Sequence, residues 1–292
     1  GWTWQKFEDK VNNIYKVLVA LGGWEPPELV ALCEVENFFV LHRLIKETPL
    51  RKHEYRIIHQ DSPDPRGIDV ALIYRPDILH PIRYKDFPVP PRESHPDPTR
   101  DILYVKGIIN GGDSLHMIIN HWPSRWEGIL ESRPERLAAA DVLRHILDSL
   151  FLAEKQSKIM VAGDFNDELT DVSLKDRLGI EYPGASCRED GLYFPCENPI
   201  PGLPGSLKYR GRWYGFDLIL VSGAFLSDTA PYVNKDGYRI FSPGFLLEDD
   251  PLWLGRRPFR TYRGYRYHGG FSDHLPVFIN IYTRGGQPEE RR

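Results

Sequence analysis

Lys158-Ile159-Met160-Val161-Ala162-Gly163-Asp164-Phe165-Asn166-Asp167 is the stretch on which the reading of this chain turns. Lys158 to Ala162, apolar from Ile159 on, reads as a short buried strand. Asp164 and Asn166 follow at once. Taken alone they are an ordinary turn signal, because both side chains bond to nearby backbone. A carboxylate at the end of a buried strand is nonetheless costly to desolvate without a partner.

Outward from this stretch the same arrangement recurs. Upstream, Glu131 to Lys155 predicts the longest helix, with Leu137, Ala140, Leu143, Ile146 and Leu150 on one side. Before it, Leu115 to Asn120 reads as a strand running into Asn120-His121. Leu29 to Val35 reads as a buried strand that brings Glu34 and then Glu36 to its end, followed by a helix over Asn37 to Lys46. Downstream, Asp217 opens the strand Phe216 to Val221, and Ser272-Asp273-His274 precedes the strand Leu275 to Ile281. Further strands are predicted at Glu54 to Gln60, Asp69 to Tyr74 and Ile102 to Ile109. Trp4, Phe7, Val11, Ile14, Val17, Leu18 and Leu21 mark an amphipathic first helix that stops at Gly22-Gly23. Pro88 to Pro98 and Tyr182 to Lys208 read as long irregular connections. Strands and helices mix without strict alternation, which predicts packed sheets with helices outside rather than one doubly wound sheet.

Each motif also has a plain structural explanation. Glu34 suits a helix cap or a surface acid, Ser-Asp-His suits a turn, and Asn120-His121 alone says little. Together they place carboxylates and two histidines at the ends of buried strands. Carboxylate oxygens in such a set suit a hard divalent cation, and histidines suit a phosphate with charge developing on its oxygens.

In these segments the chain resembles the endonuclease/exonuclease/phosphatase superfamily, with its DNase I-like fold, from about Leu29 to Ile281. The strongest segments are Leu32-Cys33-Glu34-Val35-Glu36-Asn37, Gly163 to Asp167, Phe216 to Leu220 and Phe271 to Val277. The resemblance implies an α/β, four-layer sandwich: two mainly antiparallel sheets packed together and flanked by helices. It implies Mg²⁺ (or Mn²⁺) held by Glu34, with Asp273 as a second metal-side carboxylate. Asp164 and Asn166 match the pair that orients the attacking water and the phosphate. His274, with Asp217 as its partner, and His121 match phosphate-contacting histidines. Members usually begin with a strand bearing an asparagine near the metal. This chain opens on its first helix, and Asn12 and Asn13 within it do not fit that role.

Composition narrows the partners. The chain has 292 residues, 41% of them hydrophobic, enough for a sizeable core, and residues 1–292 are expected to form a single domain with a flexible tail over 284–292. No run of apolar residues is long enough to cross a membrane. No signal-peptide pattern starts at Gly1; a removed leader would mean export, its absence the cytoplasm. The net charge of −4 provides no global field for nucleic acid, so an anionic substrate needs a local patch and a metal. Cys33 reads as a small buried hydrophobe; Cys187 and Cys196 are close enough in sequence to pair, or equally to be free thiols.

The local patch has candidates. Arg256, Arg257, Arg260, Arg263 and Arg266 alternate with Phe259, Tyr262 and Tyr265 just before Asp273. They read either as an anion-binding loop with stacking faces or as a solvated loop. Lys208, Tyr209 and Arg210 form a second cluster. Asn120, Arg66, Arg100, Arg125, Arg210, Arg263 and Tyr265 are thus candidates for substrate contact. A phosphodiesterase of the nuclease kind leads. The alternative is a phosphatase or phosphodiesterase on a small or lipid phosphate; a non-catalytic binding module comes last, because every matched position is filled. A lipid-directed enzyme would call for an exposed apolar hairpin, and Trp253-Leu254 is a short signal for one. A monomer is expected.

Overall fold

The computed structural model describes residues 1–23, 25–92, 96–196, 205–227 and 229–283. The expected flexible tail, 284–292, and parts of both proline-rich connections lie outside the described residues.

Helix α1 (Trp4–Gly22) starts at Thr3, whose side chain accepts the N–H of Lys6, and ends at Gly23 with φ of 73°. Strand β1 (Leu29–Val35) leads through Asn37 into α2 (Phe38–Glu47), and the Asn37 side chain caps that helix by accepting the N–H of Val40. Then come β2 (Arg56–His59), β3 (Asp69–Tyr74), β4 (Leu79–Phe87), β5 (Ile102–Ile109) and β6 (Ser114–His121). Helix α3 (Arg133–Ala153) crosses over to β7 (Ile159–Asp164). Short strands β8 (Leu192–Tyr193), β9 (Leu207–Tyr209) and β10 (Arg212–Tyr214) precede β11 (Asp217–Ser222).

Two sheets face each other. One has three antiparallel strands in the order β1-β3-β2, and the other has six in the order β4-β5-β6-β7-β11-β8. The alternation of β3 shows how they pack. Val70, Leu72 and Tyr74 join the large core shared with the six-stranded sheet. Ala71 and Ile73 point the other way, into a cluster with Leu18 of α1 and Leu41, Leu44 and Ile45 of α2. On the far side, Ala139, Leu143, Ile146 and Leu147 of α3 enter the large core. The layers therefore run helices, small sheet, large sheet, helix: the expected sandwich of mainly antiparallel sheets.

Several local expectations need correction. β4 was not foreseen: its sequence mixes Pro81, Arg83, Lys85 and Asp86 with apolar residues, and it lies at the edge of the large sheet, with one long side half exposed. β1 is half-buried rather than buried, because it too is an edge. The stretch from Leu275 to Ile281 is divided into two short strands, Val277–Phe278 and Ile281–Tyr282, each pairing with a different partner. Cys187 and Cys196 are free thiols, so the disulfide alternative falls.

The pairing that matters most for the site is β6 with β7. It is parallel, and its register sets Asn120 opposite Gly163 and His121 opposite Asp164. Gly163 has φ of 144°, and a Cβ there would lie 1.9 Å from the carbonyl oxygen of Asn120. Only glycine fits that backbone and that contact. A Gly163→Ala substitution is expected to destabilise the fold by about 3 kcal/mol or more. Urea unfolding of the variant against the native chain measures this, and a loss below about 1 kcal/mol would show that the strands relax around the methyl group.

Candidate active site

Three strand ends meet at one edge of the large sheet. His121 closes β6, Asp164 closes β7, and Asp217 opens β11 opposite Asp164 in the antiparallel register. His274 arrives from the other side, through an isolated bridge to Leu207. Its Nδ1 is 2.7 Å from Oδ2 of Asp217 and 4.0 Å from Oδ2 of Asp164. Nε2 of His121 is 3.8 Å from Oδ2 of Asp164. Asp164, Asp217, His274 and His121 are thus brought together, and the pairing of Asp217 with His274 is the one expected. Asp217 is further held by Tyr238, whose hydroxyl donates to its main-chain oxygen at 2.7 Å.

The loop after β7 is an Asx turn closed by Asp164. The N–H of Asn166 donates to Asp164 Oδ1 at 2.8 Å, and Asn166 has φ of 50°. Its side-chain amide donates to the carbonyl of Trp122 at 3.0 Å, which joins the loops after β6 and β7. Asn166 is buried, beside Asp164.

Burial and charge set the protonation of these groups. Desolvation pushes the Asp164 carboxyl up, an effect that His274 partly offsets. His121 is held well below the ordinary histidine value by burial, then by Arg100 and Arg66. Burial opposes the charge on His274, but Asp217 and then Asp164 carry it well above that value. One imidazole is therefore kept neutral and the other cationic. Nδ1 of the buried His121 has no hydrogen-bond partner among the described residues.

Glu34 and Asp273 stand apart from this group. Both are exposed, and neither has a hydrogen-bond or ion-pair partner among the described residues. Glu34 occupies a bulge: Cys33 pairs with Val70 and Val35 with Asp69, so Glu34 is the extra residue, with φ of 58°. A bulge re-aims a side chain that strict alternation would have placed elsewhere. Two groups of described residues bring histidine and carboxylate ligand atoms within 4.8 Å of one another, Asp164-Asp217-His274 and His59-Asp61-Asp69. These clusters suit a divalent metal. Glu34 and Asp273 belong to neither.

The candidates for substrate contact fare differently. Asn120 is fully buried, its oxygen accepts from Trp122 Nε1 at 3.1 Å and its amide donates to Ile118 at 3.2 Å, so it braces the site from behind. Arg100 is also buried. It pairs with Asp64 at 3.0 Å and donates to the carbonyls of His121 and Trp122. Arg66 is tied to the same Asp64, with half of its side chain exposed. Arg125 donates to the carbonyl of Asn166 and to Asp167, both at 2.6 Å, and buried Arg136 reaches Asp167 at 2.7 Å. These arginines hold the loops that carry His121 and Asp164. Asp64, Asp167, Arg136 and Tyr238 were missed as supporting residues; only Asp167 had a signal, its place in the Gly163-to-Asp167 segment.

The arginine-rich segment is largely committed to its own chain. Arg256 donates to Gly244 and Leu247, Arg257 pairs with Glu248 and Asp250, Arg260 donates to Lys208, and Arg263 pairs with Glu248. Arg210, Arg266 and Tyr265 remain exposed. The hairpin of Leu247–Asp249 and Arg256–Pro258 also presents Leu252, Trp253 and Leu254 at its tip, more apolar surface than the sequence suggested.

Comparison with known proteins agrees with this geometry. A family model described as Endonuclease/Exonuclease/phosphatase family matches residues 1–283. A humanized D. rerio TDP2 superposes with a TM-score of 0.62 at 15% identity, covering 96% of this chain and 94% of that one. A mannosyl-6-phosphatase of Bacteroides thetaiotaomicron gives 0.55 at 16% identity, covering 94% and 91%. The human Nocturnin catalytic domain gives 0.54 at 16% identity, covering 96% and 88%. No curated protein sequence matches the chain. At these identities the structures speak for the fold alone. The family match over nearly the whole chain, joined to the convergent carboxylates and histidines, shows that the chain belongs to the endonuclease/exonuclease/phosphatase family of metal-dependent phosphoesterases.

Proposed function

We propose that the chain, acting as a single domain, hydrolyses the phosphodiester bonds of a polynucleotide with the help of Mg²⁺ or Mn²⁺. Glu34 and Asp273 would hold the ion. Both are exposed carboxylates without a hydrogen-bond or ion-pair partner among the described residues, whereas Asp217 is already bonded to His274. The donor set is oxygen-rich. Carboxylate oxygens suit these hard ions better than zinc. When bound, such an ion neutralises phosphate charge and favours departure of the leaving oxygen.

The chain's own residues do the rest. Asp164, fixed by the N–H of Asn166, takes up the proton of the attacking water. Desolvation, which raises its basicity, suits it to that role. Asp217 holds Nδ1 of His274, so Nε2 is the nitrogen free to donate to a phosphoryl oxygen. His121, neutral and buried, adds a second donor from a fixed position.

The observation that supports a polynucleotide is the open rim beside His274. Leu207 bridges to His274, so β9 leaves the site directly for a turn carrying Tyr209 and Arg210. That turn lies about 10 Å along the strand, roughly the reach of one or two nucleotides. Gly211 lies against Trp253, which with Tyr209 presents about half its surface. Stacking faces beside a guanidinium suit unpaired bases. The similar structures do not choose between substrates: they include a D. rerio TDP2 with a single-strand DNA product and the mannosyl-6-phosphatase. The internal commitment of four of the five clustered arginines favours the second reading, a small phosphate.

Asp217→Asn is expected to lower kcat at least about 100-fold while KM changes less than about threefold, since the imidazole is mis-set but the rim is intact. Full kcat in the variant would remove the dyad from the mechanism. Excess chelator is expected to abolish activity and Mg²⁺ or Mn²⁺ to restore it, with Glu34→Gln impaired at every metal concentration. Finally, the inactive Asp164→Ala variant is expected to bind single-stranded oligonucleotides with an affinity that falls steeply as salt rises. Absence of binding at low salt, together with fast hydrolysis of a small phosphate by the native chain, would replace the polynucleotide with the small substrate.

A further inference from the structure

Helix α1 carries a polar stripe at Lys6, Lys10 and Asn13, spaced by four and three residues and so lying on one face. This stripe is packed against the segment that leads into Asp273. Asn13 is buried, and its amide donates to the carbonyls of Gly269 at 3.0 Å and Gly270 at 3.3 Å. Lys6 lies over the rings of Tyr262 and Tyr267. Lys10, half-buried between them, donates from Nζ to Thr261 Oγ1 at 3.1 Å and to the carbonyl of Phe271, two residues before Asp273.

The ammonium of Lys10 is unusual in its company. Its two hydrogen-bond partners are neutral oxygens, and among the described residues no carboxylate pairs with it directly. Taking a cation out of water without a paired anion is costly. The charges that compensate it are Asp273 and Glu34: burial pushes Lys10 down, and these two acids, the largest opposing influences, push it back up. Lys10 thus lies beside the segment that carries Asp273 and joins Arg66, which acts on Glu34, and His274, which acts on Asp273, among the cations that offset these two acids.

We propose that Lys10 is a positioning residue that serves as a fixed counter-cation to Glu34 and Asp273, anchoring the turn before Asp273 and holding down the site's affinity for a divalent cation. The inference rests on the metal-site reading given above. An ammonium tethered to the Phe271 carbonyl offsets part of the mutual repulsion of two unpaired carboxylates. It also repels an incoming dication, so the bare site binds metal loosely.

The test measures metal binding without turnover. Mn²⁺ is titrated into the full chain and the free ion is followed by electron paramagnetic resonance. Lys10→Met is expected to bind Mn²⁺ at least about tenfold more tightly than the native chain. Lys10→Arg, which keeps the charge, and Thr261→Val, which removes one anchor but keeps the charge, are both expected to stay within about threefold of it. Equal or weaker binding by Lys10→Met would overturn the proposal. So would a change in Thr261→Val as large as that in Lys10→Met, which would assign the effect to the scaffold. Should Lys10→Met fail to fold, Lys10→Gln is measured in its place, with the same expected and overturning results. Glu34→Gln tells the two readings apart. If it leaves Mn²⁺ binding unchanged, the metal-site reading itself fails; if it weakens binding about tenfold while Lys10→Met has no effect, only the role of Lys10 falls.

Discussion

The site depends on the close approach of two parallel backbones, where Gly163 lies against the carbonyl of Asn120. β6 and β7 are the parallel pair of an otherwise antiparallel sheet, and α3 is the crossover that makes this possible. Parallel strands end at the same edge, so His121 and Asp164 arrive side by side. The antiparallel β11 starts where β7 finishes, which adds Asp217 to the row. Three polar residues from distant parts of the chain are therefore aligned by main-chain register, before any side-chain interaction acts.

Side chains then fix the loops that follow. Arg100, Arg125 and Arg136 are buried or nearly so, and each reaches a loop carbonyl as well as a carboxylate. Ion pairs of this kind add little net stability, since desolvation offsets most of the attraction. What they contribute is geometry: the carbonyls of His121, Trp122 and Asn166 are held in one arrangement. Arg100 also reaches the electrostatics, because its charge helps to keep the neighbouring His121 neutral. His274 aside, the positive charge of these buried arginines is structural, whereas Arg210 and Arg266 are exposed.

Much of this was legible in the sequence, for a physical reason. A carboxylate or histidine at the end of an apolar run contradicts its surroundings, and Glu34, His121, Asp164, Asp217 and His274 each do so. The helices were legible because α1, α2 and α3 carry apolar residues at regular spacing. The failures share a different cause. Arg66, Arg100, Arg125 and Arg263 look alike in a sequence whether they face a substrate or a carbonyl of their own chain. Asn120 lies within β6 with its side chain turned into the core, whereas Asn166 lies in the turn after β7. β4 went unseen because an edge strand has little need of apolar residues, and the bulge at Glu34 because nothing in Leu32-Cys33-Glu34-Val35 announces an extra residue.

That bulge carries one more consequence. A residue in a regular ladder answers to its cross-strand neighbour, so its identity is constrained by the sheet. Glu34 has no such neighbour, and its left-handed backbone costs on the order of 1 kcal/mol that a glycine would not incur. Selection for a stable sheet alone would replace it. The protein therefore carries this exposed acid at a position where the sheet is indifferent to the side chain and unfavourable to the backbone, so that a substitution there bears on whatever the carboxylate does more than on the fold.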